Sequence, residues 1–325
     1  GKPVRSIAKE AFFNNGSIVK AVLPEGLGKI EASAFQGAYN LEEIVLPSTL
    51  RIIEADAFNS CGKLKSITIP QGVTTIAENT FFRCLQLAEA NLPLGLKSIE
   101  SKAFAVTGLI KIDLPLGIES IGDHAFYGNR YLKEITLPNT VKSIDEYAFF
   151  VCDSLAKVIL PTSLQSMSSG VFDKCPNLEI IAIPKTISNI RADALFSGNL
   201  RPNKLTIMAP VGSFAENFAR QSGMPFVAAD VTAGVVMTLD GRGISGQKTA
   251  IDLSGDIKTL SLEAETYPET LWPGIVWKSS NPAVADVDGY GQVMAYKKGE
   301  VLITAMSADG SGAESSLTLN VANLA

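Results

Sequence analysis

The chain has 325 residues, 46% of them hydrophobic, enough for two or three domains with buried cores and too many for a disordered polymer. Its 28 Lys and Arg against 33 Asp and Glu give a formal charge of −5 with no dense basic block, so nucleic acid is not expected as a partner. No run of about 18 apolar residues offers a membrane span, and four cysteines with one histidine leave little material for soft-metal sites or histidine acid–base chemistry. The start at Gly1-Lys2-Pro3, without a methionine or signal-like stretch, reads as a trimmed soluble fragment.

From the N-terminus the chain repeats itself. Proline follows an aliphatic residue at Pro24, Pro47, Pro70, Pro93, Pro115, Pro138, Pro161 and Pro184, at successive spacings of 23, 23, 23, 22, 23, 23 and 23. Eleven positions after each proline stand Phe35, Phe58, Phe81, Phe104, Phe126, Phe149 and Phe172, then Leu195, with Phe12 in a clipped first coil. One full unit is LKEITLPNTVKSIDEYAFFVCDS, Leu132 to Ser154. A unit this short cannot bury its apolar side alone, so equivalent slots must stack into columns, giving a mostly β solenoid. Alternation about Thr136 predicts a short strand with Ile135 and Leu137 inward and Glu134 and Thr136 outward. The proline that follows lacks the N–H a central strand needs, so it marks the strand's end. Val141 and Ile144 predict a second extended segment, and the hydroxyl slot at Thr75, Ser98, Ser120, Ser143 and Ser166 is expected to bond along the stack. At about 4.8 Å per coil, nine coils give a curved slab roughly 40 Å long.

Over residues 4 to 209 this register of prolines and phenylalanines resembles the BspA-type leucine-rich repeats, also described from Treponema, of bacterial surface proteins. Ala90 in an isoleucine slot, a coil one residue short between Ala103 and Leu109, and Leu195 in place of phenylalanine depart from the pattern locally. The resemblance implies a non-catalytic secreted or cell-surface protein that attaches to host or microbial extracellular proteins or glycans.

After Pro210 the register stops. SFAENFARQSG, Ser213 to Gly223, carries a capping-box pair in Ser213 and Glu216, apolar Phe214 and Phe218 one turn apart, and a terminal glycine, predicting a capping helix over about 213–222 with an extended piece at Met224 to Val227. The first domain is therefore expected to cover 1–229. From Asp230 the chain alternates strand-like runs with Asp-Gly and Gly-rich turns: VVMTLDG, TAIDLS, TLSLEAETYP, IVWKSS, VADVDGYGQVMA, VLITAMSADGSG and SLTLNV. Seven short strands in 230–325 predict an immunoglobulin-like β-sandwich. From Trp277 onward, through Ser279, Asn281, Pro282, Val284, Gly291, Val293, Gly299 and the Ile303 to Gly310 segment, it resembles a bacterial immunoglobulin-like domain of group 2.

Chemistry-bearing residues fall into repeat slots. Cys61, Cys84, Cys152 and Cys175 lie three residues after the core phenylalanine, where other coils place Asn15, Ala38, Asn129 or Gly198, so they read as buried packing residues. Equivalent slots of adjacent coils are within disulfide reach, so Cys61 with Cys84 and Cys152 with Cys175 have the spacing to pair, while parallel side chains favour thiols. His124 shares its slot with Ser33, Asp56, Lys102, Tyr147 and Asp193 and reads as exposed, without a nucleophile beside it. Asp286, Asp288 and Gly289 lack the downstream glutamate of a calcium loop and read as a tight hairpin turn. No catalytic residue, cofactor or metal is expected.

Binding, where it exists, belongs to outward slots. One strand-face set is Glu43, Glu89, Asn91, Lys111, Asp113, Glu134 and Lys157. Behind the core phenylalanines, Phe82, Tyr127 and Phe150 form a second set that either anchors a partner or packs against the next turn. The sequence thus leads to a monomeric adhesion or binding solenoid with the immunoglobulin-like module as spacer. The alternative is a stalk segment of a larger surface protein whose active domain lies elsewhere.

Overall fold

The repeat dictates the backbone. In a computed structural model that describes residues 4–191, 193–197, 205–229, 234–239, 242–243, 248–252, 259–267, 275–307 and 313–322, each coil contributes two short strands and a phenylalanine turn. The first strand recurs at Lys20–Val22, Glu43–Val45, Ser66–Thr68, Glu89–Asn91, Glu134–Thr136, Lys157–Ile159, Ile180–Ala182 and Thr206–Ala209. Neighbours pair in parallel with a one-repeat register, as in Glu134 with Lys157 and Lys157 with Ile180. The central residue of each of these strands is inward and its flanks mostly outward, the pattern expected around Ile135. Proline closes the strand: Val73 N–H donates to Pro70 O at 3.0 Å and Val141 N–H to Pro138 O at 3.0 Å, the i to i+3 bond of a turn.

The second ladder uses two-residue strands, among them Thr75–Ile76, Ser98–Ile99, Ser120–Ile121 and Ser143–Ile144, again parallel. The expected hydroxyl column bonds at one place among the described residues, Ser98 Oγ to Thr75 Oγ1 at 3.0 Å; at Ser120 and Ser143 the strands pair through their backbones.

The third side is a ladder of turns. Two residues before and two after the core phenylalanine the backbone is left-handed: Ser33 and Gly37, Asp56 and Ser60, Lys102 and Val106, His124 and Gly128, and Tyr147 and Val151 have φ from 54° to 72°. Every second N–H then points along the stack, as Ser33 to Ala55 O, Phe35 to Ala57 O and Gly37 to Asn59 O. The N–H groups between them close local turns, as Ala34 to Glu31 O and Gln36 to Ser33 O. A left-handed non-glycine residue costs about 1–2 kcal/mol, and the coil-to-coil bonds and the core offset it. Inside lie the rings of Phe12, Phe35, Phe58, Phe81, Phe104, Phe126, Phe149 and Phe172, stacked with centroids 4.9–5.7 Å apart.

The short coil disturbs one side only. Gly108 stands where other coils have two residues, and a Cβ there would lie 2.6 Å from Leu85 O. The following first-strand segment, Lys111 to Asp113, forms no strand. Its entry bond, Ile110 N–H to Ala88 O, is stretched to 3.4 Å, against 2.9 Å for the equivalent Ala156 to Lys133.

At the C-terminal end of the stack a helix spans Phe214–Ser222 and packs on the coil containing Asn189–Ile190. Its buried face is Ala215, Glu216 and Ala219. The phenylalanines one turn apart lie elsewhere, Phe214 exposed and Phe218 half-buried. Small residues let the helix sit close, and Glu216 accepts from Arg220 Nη2 at 2.7 Å. Gly223, with φ 64°, ends it. Phe226–Ala228 then adds to the sheet beside Thr206–Ala209.

The chain divides into two compact units, one comprising Gly1–Met208 and Phe214–Val227, the other Ala209–Ser213 and Ala228–Ala325. In the second, Gly234–Leu239 pairs antiparallel with Glu263–Tyr267, and Gly299–Ser307 pairs antiparallel with both Ile275–Ser279 and Glu314–Ala322. Lys248–Asp252 joins Glu314–Ala322 in parallel. One run that reads as a single strand is two, and a second folds at its expected turn. TLSLEAETYP breaks at buried Leu262, so Thr259–Ser261 and Glu263–Tyr267 enter different sheets. VADVDGYGQVMA is a hairpin of Ala285–Val287 and Gln292–Ala295. The sheets enclose Met237, Leu262, Val284, Val293, Val301, Ile303, Leu317, Leu319 and Val321, with Trp277 packed against them. The Gly198 slot, Asp230 and parts of the GRGISGQKTAIDLSGDI run lie outside the described residues.

Candidate functional site

Outward strand slots place side chains in solvent at one-coil intervals, and the seven residues anticipated there are all exposed. They are not equivalent. Glu43 is held by Lys20 across one coil at 2.8 Å, and Glu134 and Lys157 are register partners on adjacent strands. Exposed pairs of this kind add little stability and screen each other. Beside this column the Lys65 ammonium holds the Glu42 carboxyl below its usual range, and Lys142 does the same to Glu119. Glu89, Asn91, Lys111 and Asp113, by contrast, come together around a groove of about 460 Å³. It opens where the short coil leaves Lys111 to Asp113 unpaired, so the missing residue creates it. Its wall includes Ile110, Ile112 and Leu92, and Lys111 reaches Asp113 at 3.0 Å.

The phenylalanine turns carry a second groove, of about 510 Å³, lined by Asn59, Asn79, Phe82, Lys102, His124, Tyr127 and Phe150. All three aromatics singled out from the sequence are in it. They occupy the slot just after the core phenylalanine, where Asn59, Phe82, Ala105, Tyr127, Phe150 and Asp173 succeed one another. The rings are half-buried, so packing and presentation are combined. Tyr127 stacks on Phe150 at 5.8 Å and 17°. Lys174 Nζ lies 5.1 Å from the Phe150 ring centre, and Arg83 Cζ 5.6 Å from that of Phe82. Ala105, fully buried, supplies no ring between Phe82 and Tyr127. His124 lines the rim instead of standing free: its side chain is 28% exposed, with Tyr147 at 5.1 Å and Tyr127 edge-on at 5.6 Å. The sequence reading missed its place here because the varied residues of its slot share a left-handed backbone, not exposure.

A parallel solenoid with stacked phenylalanines and proline-closed strands is the architecture that sequence comparison also assigns. The family model described as BspA type leucine rich repeat region, in six copies, matches residues 5–128 and 97–222. The chain belongs to the BspA-type leucine-rich repeat family. Residues 257–316 match the bacterial Ig-like domain of group 2. A leucine rich cell surface protein from Faecalibacterium prausnitzii is similar at 24% identity and TM-score 0.43, over 69% of this chain and 76% of that one. A leucine-rich repeat protein from Bacteroides ovatus is similar at 25% identity and TM-score 0.46, over 65% and 68%. An uncharacterised protein of Clostridium acetobutylicum is 38% identical over 84 residues, 24% of this chain. The chain spans 9% of the length of that curated relative.

Within the BspA-type coils the cysteine slot has a defined job. Cys61 Sγ donates to Phe35 O at 3.2 Å, Cys84 to Phe58 O at 3.1 Å, Cys152 to Phe126 O at 3.4 Å and Cys175 to Phe149 O at 3.2 Å. Asn129 in the same slot donates to Phe104 O at 2.8 Å. The slot therefore caps the carbonyl of the preceding coil's core phenylalanine, and all four thiols are free and buried. Burial pushes the Cys61 thiol up to about 12 and those of Cys84 and Cys152 well above the ordinary value. Thiols so placed are poor nucleophiles. In the Ig-like unit Asp288 Oδ1 accepts from Tyr290 N and Gln292 N, both at 2.9 Å, which is the work of a hairpin turn. Among the described residues no cluster of three or more His, Cys, Asp or Glu is placed to hold a metal ion, and no helix is long and apolar enough to cross a membrane.

Proposed function

We propose that the protein is a non-catalytic binding or adhesion protein of the bacterial cell surface or its secreted fraction, in which the BspA-type solenoid engages extracellular proteins or glycans and the Ig-like module is a spacer. The observation that carries this reading is the groove at Phe82, Tyr127 and Phe150. Half-buried aromatic faces bordered by polar side chains are what binding hot spots are made of. The groove at Glu89, Asn91, Lys111 and Asp113 offers a second, polar contact on the strand face. Membership of the BspA-type family and the presence of a group 2 Ig-like domain support an extracellular setting. The catalytic alternative has little to work with, since the single histidine stands against tyrosines and Asp123, and the thiols are buried. The test is saturation binding of the labelled full chain to immobilised matrix proteins and a glycan array. Saturable binding to a restricted subset supports the proposal, whereas silence across the panel favours the stalk reading.

A further inference from the structure

Between the coil of Phe58 and the coil of Phe81 the solenoid lacks both of its strand ladders. Glu43–Val45 does not pair with Ser66–Thr68, and Ile52–Ile53 does not pair with Thr75–Ile76. Every other coil interface among the described residues keeps at least one ladder, including that of the short coil, where Ser98–Ile99 still pairs with Ser120–Ile121. Equivalent bonds on either side show what is missing. Arg51 N–H donates to Gly28 O at 2.9 Å and Lys97 N–H to Thr74 O at 2.8 Å, but Thr74 N–H makes no bond to Arg51 O. Glu54 N–H donates to Ile30 O at 3.0 Å and Glu100 N–H to Ile76 O at 2.9 Å, but Ala77 N–H makes none to Ile53 O. A groove of about 520 Å³ lies along this seam, with Arg51, Ile52 and Glu54 on one wall and Thr74, Thr75 and Ala77 on the other.

Side chains account for the opening on this face. At three neighbouring interfaces a carboxylate clips it shut: Glu31 accepts from Lys9 N–H at 3.1 Å, Glu54 from Ala32 N–H at 2.9 Å and Glu100 from Glu78 N–H at 3.1 Å. At the seam the same slot holds Ala77, so Ala55 N–H meets no carboxylate. The Arg51 guanidinium does not bridge instead. Its Nη1 donates to Ser48 O at 2.8 Å and Leu50 O at 2.9 Å within its own coil, and its stem lies on Gly72, where a Cβ would come 2.4 Å from Arg51 Cδ.

What still crosses the seam lies mainly at the phenylalanine turns. Asp56, Phe58 and Ser60 donate N–H to Glu78 O, Thr80 O and Phe82 O at 3.0, 3.0 and 2.7 Å. Cys84 Sγ donates to Phe58 O at 3.1 Å, Gln86 N–H to Gly62 O at 3.2 Å, and the Phe58 and Phe81 rings stack at 5.6 Å. On the strand side Lys65 N–H reaches Glu42 O only at 3.3 Å, beside the exposed Lys65–Glu42 ion pair, a kind of contact that adds little in water. Ile53 and Ile76 stay buried behind the groove, but apolar contact is non-directional and tolerates a small rotation. Coils in a solenoid are coupled only to their neighbours, so one weak interface separates the blocks on either side of it. Blocks bonded along one edge turn about that edge.

We propose that this seam is a hinge: the block ending at Cys61 turns against the block beginning at Ser66 about the phenylalanine turns. It alternates between the open groove and a closed form in which Thr74 N–H and Ala77 N–H bond to Arg51 O and Ile53 O. This motion is independent of what the protein binds. Hydrogen exchange of the full chain, read at single amides, tests it. Protection factors of Asp56, Phe58 and Ser60 should be about tenfold lower than those of Asn79, Phe81 and Arg83. The latter make bonds of 2.8–3.0 Å to the next coil at an interface that has both ladders. A rigid seam, with its turn bonds equally short, would give equal protection. In the variant Arg51→Cys, Thr74→Cys an oxidant should join the two slots, and the disulfide should raise the three seam amides to the level of their neighbours, with the reduced form as control. Ala77→Gln, which returns an acceptor to Ala55 N–H without adding charge between Glu54 and Glu100, should raise the protection of Ala55 and of the same three amides. Equal protection at the two interfaces of the wild type, failure of the cysteines to join, or protection indifferent to both variants would overturn the hinge.

Discussion

At the residue scale, the repeat slot determines chemistry more than residue type does. The cysteines were legible as buried from their shared register, but their role as donors to the previous coil's phenylalanine carbonyl was not. A slot that also admits alanine reads as apolar until the carbonyl facing it is seen, and Asn129 was the available clue. Burial raises the thiols of Cys61, Cys84 and Cys152 above the ordinary value of 9.0, reaching about 12 at Cys61. The folded state therefore holds its thiol protons more tightly, and the stabilisation is complete below pH 9 and is lost as pH climbs towards 12. Urea midpoints should fall with pH through that window, less steeply in a Cys61→Ala, Cys84→Ala variant; parallel curves would contradict the assignment. Gly291 is a second residue whose reason appears only in three dimensions. Its φ is 80°, and a Cβ would lie 2.2 Å from Leu262 O and 2.9 Å from the Trp277 ring. Gly291→Ala should cost about 3 kcal/mol by chemical denaturation of the Ig-like transition.

At the element scale, strands, their ends and the ring stack were readable because each is a column and columns show as periodicity. What periodicity hides is backbone handedness. The thirteen left-handed non-glycine residues among the described ones are poorly marked in the sequence, since Val106, Lys102 and Tyr147 are ordinary side chains held there by bonds to the next coil. The helix was placed within a residue of its start, while its buried face, where contact with the last coil selects small residues over phenylalanine, shows only in the structure. TLSLEAETYP was read as one strand because alternation continues through Leu262, whereas the turn at Asp288 and Gly289 was legible and joins Ala285–Val287 to Gln292–Ala295. The short coil is the most informative irregularity, since one deletion produces both the clash-limited Gly108 and the unpaired Lys111 to Asp113. Inserting one asparagine between Thr107 and Gly108 should restore the 23-residue spacing seen elsewhere. Amide exchange over Lys111 to Asp113 should then slow about tenfold as the rung forms, and the groove beside Glu89 should close. Unchanged exchange would show that something other than the deletion keeps this rung open.

At the scale of the whole molecule, the two units are built by different means. The solenoid converts a 23-residue sequence period into surfaces whose outward slots vary freely, and the Ig-like unit builds a closed core of its own. The general position of the candidate residues was legible, because outward slots follow from the strand pattern. Their grouping was not. Glu89, Asn91, Lys111 and Asp113 converge because a strand fails to pair, and Phe82, Tyr127 and Phe150 converge because the repeat does not fix the slot after the core phenylalanine. Both groupings arise where the repeat is imperfect, which is where a solenoid acquires individuality. The most direct test of the account is adhesion of beads carrying the full chain to surfaces coated with single matrix proteins or single glycans. Wild type should be compared with Tyr127→Ala, Phe150→Ala and with Lys111→Glu, Asp113→Lys, all matched for thermal stability. The account predicts saturable adhesion to at least one defined surface and its loss in at least one groove variant; adhesion to none, or adhesion indifferent to both grooves, would contradict it.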